Sequence, residues 1–123
     1  MRESRFWGLH MLSAVVILVF LGLHMALMHL SGLLALLDPV LGKPLAWEHV
    51  LARARSDFFT VTYVFMLGAA LFHGLYGLRT MIYELTENSV VRKSISASFI
   101  AGGLALFGLG AYALVIMHLA ART

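Results

Sequence analysis

Apolar residues fill three long stretches of this chain, Phe6 to Leu37, Phe58 to Leu85 and Ile95 to Ala121, separated by short polar segments. Crossing the hydrocarbon layer of a bilayer takes about 20 mostly apolar residues at 1.5 Å rise each, and all three stretches have that length. The pattern predicts an all-α membrane protein with three transmembrane helices over 6–37, 58–85 and 95–121, in a single domain that takes up residues 1–123. The first run is longer than a span needs, so its ends protrude or tilt. It is also too long, and too free of an early small-residue cleavage site, to be a removed signal segment. Asp38-Pro39 breaks it and Pro44 keeps the connection open, because proline has no N–H and disfavours helix in the residue before it. Trp47 to Arg55 reads as a short helix lying in the membrane interface, with Trp47, Val50, Leu51 and Ala54 on one side. Thr86 to Ser94 reads as a compact polar turn.

Composition narrows the function. Hydrophobic residues make up 61% of the 123 and charged residues 12%, which leaves no room for a separate soluble domain. The absence of cysteine excludes disulfides, thiolate zinc sites and cysteine-held iron–sulfur clusters within the chain. The net charge of +3 sits in loops and termini, which suits lipid headgroups or an acidic partner; nothing resembles the basic soluble face of a nucleic-acid binder. Arg2, Arg5, Arg79, Arg92 and Lys93 fall on the N-terminal side, and Lys43, Arg53, Arg55 and Arg122 on the other. That excess of one predicts a cytoplasmic N-terminus. Ala97, Ala101, Ala105 and Gly108 form a small-residue stripe that reads as ordinary helix packing, as do the many Met, Phe and Tyr residues.

Titratable side chains within a span are costly and mark function by default. The second span carries His73, Gly77 and Arg79, with Glu84 beyond them. Histidine is the usual axial ligand of haem iron. Gly77, one turn from His73, would leave space for a flat porphyrin against the backbone. Glu84 returns to within about 20° of the His73 direction, roughly 16 Å along the axis, while Arg79 lies between them in depth on another side. In the first span His10, Ser13 and His24 share one stripe, with His10 and Ser13 near the inner surface and His24 in the outer half. His73 falls at mid-depth or slightly inward, so His24 and His73 need not meet at one iron. The plain alternative for each is a buried histidine hydrogen-bonded to a neighbouring helix. His29 reads as interfacial, His49 as a loop residue and His118 as solvated or structural.

His73-x-x-x-Gly77-x-Arg79 followed by Glu84 resembles the second-helix motif of the small membrane-anchor cytochrome b subunits of succinate dehydrogenase (complex II) and fumarate reductase. His49 to Arg53, Leu71 to Gly74, Trp7-x-x-His10-x-x-Ser13, and His24 fit the same subunits in outline, over the whole length. The resemblance implies a helical bundle formed with a second membrane-anchor subunit, holding one or two haem b groups and a quinone pocket, and docking the iron–sulfur and flavoprotein subunits. It implies His73 and His24 as haem ligands, His10 and Arg79 as further haem-binding residues, and Ser13, Tyr83 and Glu84 as quinone-binding residues. Met11 and Ala14 depart from the family's usual Arg and Gly, and the usual acidic-Tyr ending of the second helix reads Tyr83-Glu84.

On this reading the chain is an integral protein of a bacterial or archaeal cytoplasmic membrane, non-catalytic alone. It serves the respiratory chain and the tricarboxylic acid cycle, with succinate oxidised on the flavoprotein and electrons passed to quinone. The alternatives are another dihaem b-type subunit linked to quinone, and a haem-free membrane scaffold; a visible spectrum of the purified protein separates scaffold from cytochrome.

Overall fold

The computed structural model describes residues 2–39, 43 and 45–123, so the expectation for Pro44 lies outside the described residues. Five helices follow in order: α1 (Arg2–His29), α2 (Ser31–Leu37), α3 (Trp47–Arg55), α4 (Asp57–Glu84) and α5 (Ser89–Arg122). Among the described residues there is no strand. Three of these helices are long and apolar enough to cross a membrane: Ser4–Ala26 within α1, all of α4, and all of α5. At 1.5 Å per residue α4 is about 42 Å long, more than the ~30 Å hydrocarbon layer, so its polar ends reach the headgroups. The chain is an integral membrane protein.

Two boundaries differ from the hydropathy pattern. The first apolar run is split at Leu30 between α1 and α2, just before Ser31-Gly32, two weak helix formers. The polar segment before the third span is mostly helical. Asn88 accepts hydrogen bonds from the backbone N–H groups of Val90 and Val91, so α5 starts at Ser89 and only the residues between Glu84 and Ser89 turn the chain. Arg92 closes this turn, donating from Nε to the Thr86 carbonyl (2.7 Å) and from a terminal nitrogen to the Tyr83 carbonyl (2.8 Å). The Tyr83 carbonyl belongs to the last turn of α4, whose carbonyls lack helical partners.

The long helices form an open layer with α4 in the middle. α4 packs antiparallel on α1 and on α5, while among the described residues α1 and α5 make no close backbone approach. Small residues set the α4–α5 seam. A Cβ at Gly68 would lie 3.3 Å from the Phe107 ring; at Gly103 it would lie 2.7 Å from Leu75, and at Gly110 2.5 Å from Leu67. Each glycine thus receives a bulky side chain of the facing helix, the close approach that helices in lipid exploit. The stripe of Ala97, Ala101, Ala105 and Gly108 does not join this seam: it is exposed, and nothing lies within 4 Å of a Cβ at Gly108. The α1–α4 seam is aromatic, with Phe6 on Tyr76, Phe20 on Phe65 and His24 on Tyr63.

Only Ser13, His118 and Ala121 are buried among the described residues; Leu18, Phe58 and Leu104 are each about 70% exposed or more. A three-helix layer has no closed interior, so this apolar exterior meets lipid or other helices.

Candidate functional site

The α1–α4 contact brings His10, Ser13 and His73 to one level. The His10 and His73 rings stack, with centroids 4.2 Å apart and planes within 6° of parallel. The His10 carbonyl is the hub. It accepts the Ser13 hydroxyl at 2.7 Å and lies 3.3 Å from His73 Nδ1, which is also 3.4 Å from Ser13 Oγ. A carbonyl can only accept, and the Ser13 proton is committed to the much shorter bond. His73 Nδ1 is therefore the protonated nitrogen, and Nε2 keeps its lone pair. His10 Nδ1 is buried and has no hydrogen-bond partner among the described residues. The space beside Gly77 holds the His10 ring, whose Cε1 would be 3.3 Å from a Cβ there. The room left by this glycine is thus filled by an imidazole of the same chain.

Arg79, Tyr83 and Ser96 meet on the α4–α5 side, one to three turns beyond His73. Arg79 Nε donates to Ser96 Oγ at 2.9 Å. Tyr83 Oη makes a short contact with Ser96 Oγ and donates to the Arg92 carbonyl at 2.7 Å. Protons therefore run in one direction: Arg79 to Ser96, Ser96 to Tyr83, Tyr83 to the backbone. The Arg79 guanidinium also covers the Tyr83 ring, 4.3 Å from its centroid. This cluster forms one end of a cavity of about 1110 Å³ between α4 and α5, walled by Leu71, Phe72, Phe99, Ile100, Leu104 and Phe107. The result is a long apolar space with a cationic, hydrogen-bonding end.

The remaining expected residues lie apart. His24 stands edge-on to Tyr63, ten residues and about 15 Å from the His73 level. Ser13 faces α1–α4 and Tyr83 faces α4–α5, so these two do not share a pocket. Glu84 shares the angular direction of His73 but is exposed, at the last residue of α4.

Pattern reading did not single out Ser96 or Arg92, nor a cluster at the opposite end of the molecule. There His118 is buried. Its Nδ1 is 2.7 Å from the Ala54 carbonyl and 3.2 Å from Thr60 Oγ1, and its Nε2 is 3.0 Å from an Asp57 oxygen. Arg122 donates to both Asp57 oxygens at 2.8 Å, and Arg55 Nε donates to the Ala121 carbonyl at 2.6 Å. The cluster straps α3 across the ends of α4 and α5, so His118 is structural. The signal available in the sequence was an acid at the start of one span and a His–Arg pair at the end of another, which antiparallel packing brings together.

A membrane layer of three helices with a histidine at mid-span and a polar end near one face is the architecture of a transmembrane anchor. The chain belongs to the succinate dehydrogenase/fumarate reductase transmembrane subunit family, whose model matches residues 2–110. Neither the curated proteins nor the solved structures contain a match. Membership implies association with the iron–sulfur and flavoprotein subunits of that enzyme.

Proposed function

We propose that this chain, with a second membrane-anchor subunit, holds haem b through His73 and frames a quinone site in a succinate:quinone oxidoreductase of a bacterial or archaeal cytoplasmic membrane. Its N-terminus faces the cytoplasm. The observation that carries the haem reading is the bonding of His73. A metal-ligating histidine typically gives its other ring N–H to a carbonyl, which fixes the tautomer and aims the coordinating nitrogen. His73 does this towards the His10 carbonyl, leaving Nε2 for iron. With Nδ1 turned to that carbonyl, His73 is the residue of this chain that would hold the haem. Haem supplies one-electron redox chemistry when bound.

His10 would not hold the haem together with His73, because its ring is stacked flat on the His73 ring. A further ligand would come from the partner anchor. The open layer and the outward small-residue stripe of α5 support such a partner. His24, at another depth, serves only a second haem.

The cavity between α4 and α5 would take the quinone. Its apolar walls suit a hydrocarbon tail, and Arg79 retains N–H donors beyond the one given to Ser96, enough to bond a quinone carbonyl or a haem propionate. Tyr83 joins this end by exchanging its bond to the Arg92 carbonyl for one to the ligand. Glu84, exposed at the end of α4, would act as a proton donor or acceptor for quinone chemistry.

The test is replacement of His73 by alanine in the assembled complex, with haem counted per complex by its reduced α-band. Loss of one haem is expected. An unchanged count removes the assignment.

A further inference from the structure

We infer that Ser13 is a positioning residue for His73: its hydroxyl and the His10 carbonyl together hold the ring and set the donor strength of Nε2. This rests on the haem reading of His73 and departs from a quinone role for Ser13.

Ser13 is 6% exposed and sits where α1 crosses the middle of α4. Its proton goes to the His10 carbonyl at 2.7 Å, so both Oγ lone pairs remain free to accept. His73 Nδ1–H lies 3.4 Å from that oxygen and 3.3 Å from the carbonyl, a three-centre arrangement in which two acceptors share one proton. Ser13 thus acts twice. It pins the carbonyl on which His73 leans, and it supplies a second acceptor. The stacked His10 ring closes one face of the imidazole, so the ring cannot swing away on that side.

The chemical consequence has a sign. Acceptors on Nδ1–H draw the proton outward and make Nε2 a stronger donor. A stronger axial donor favours ferric over ferrous iron. Removing the Ser13 hydroxyl weakens the donor and loosens the ring, which raises the haem potential. Ser13 itself would touch no iron, and it does not line the cavity that holds Arg79 and Tyr83.

The experiment compares wild type, Ser13→Ala and Ser13→Thr in the assembled complex, by potentiometric titration of the haem and by the ferric electron paramagnetic resonance spectrum. The KM for quinone is measured in parallel. The expected result for Ser13→Ala is haem retained, an upward potential shift equal to about a fivefold change in the ferric–ferrous equilibrium, altered ferric g values and unchanged KM, one modest hydrogen bond being lost. Ser13→Thr, which keeps the hydroxyl, returns potential and spectrum to wild type. An unmoved potential in Ser13→Ala overturns the inference. So does a shift that threonine fails to reverse, or a raised KM with an unmoved potential, which would make Ser13 a quinone contact. Retention of haem in the His73→Ala complex would instead overturn the underlying haem reading, and it is scored separately.

Discussion

Replacing His118 by alanine should release α3 from the ends of α4 and α5 without disturbing the His73 region. The side chain is only 10% exposed and joins three elements through the Ala54 carbonyl, Thr60 and Asp57. The Asp57 side chain is 74% exposed, so its contact with His118 Nε2 is screened by solvent and contributes at most about 1 kcal/mol. The bond to the Ala54 carbonyl contributes about another 1 kcal/mol, and its loss leaves an acceptor facing the space vacated by the ring. With the lost ring packing the sum is roughly 2–3 kcal/mol. Arg55 still ties α3 to the Ala121 carbonyl, so the helix stays attached but opens more often. Hydrogen exchange of the backbone amides over 47–55, measured on the detergent-solubilised complex, should quicken roughly 30- to 150-fold. Exchange at 70–80 should not change. Acceleration of less than threefold over 47–55 would refute the view that His118 is what holds α3 down.

Asn88→Ala removes the side-chain oxygen that accepts from Val90 and Val91, and should lower stability by about 1 kcal/mol in a reversible detergent-unfolding titration. Gly110→Leu drives a side chain into the place of Leu67, already 2.5 Å from a Cβ there, and should separate α4 from α5 and abolish assembly by gel filtration; the same change at Gly108, with nothing within 4 Å inside this chain, should leave the α4–α5 seam intact. Gly77→Val should expel the His10 ring from its notch and reduce haem per complex, whereas Gly77→Ala, 3.3 Å from Cε1, asks for only a few tenths of an ångström and should retain it. Haem quantification of both variants checks this.

The three spans, the short helix over 47–55 and the polar positions at His73 and Arg79 were readable from order alone, because length, hydropathy and 3.6-residue periodicity are properties of one helix at a time. A helical wheel also placed Gly77 beside His73 and Ser13 near His10. What it could not supply was the register between helices. Gly103 and Gly110, rather than the equally small Gly102 and Gly108, face α4, because Leu75 and Leu67 need space there. His10 fills the Gly77 notch because the antiparallel register of α1 on α4 sets its ring level with His73. The register of α4 on α5 joins Asp57 to His118 across 61 residues of chain. Sequence by itself determined which segments cross the membrane and which polar groups they carry into it. The fit of side chains between antiparallel helices decided which of those groups touch, since that fit depends on axial offsets that no single helix encodes.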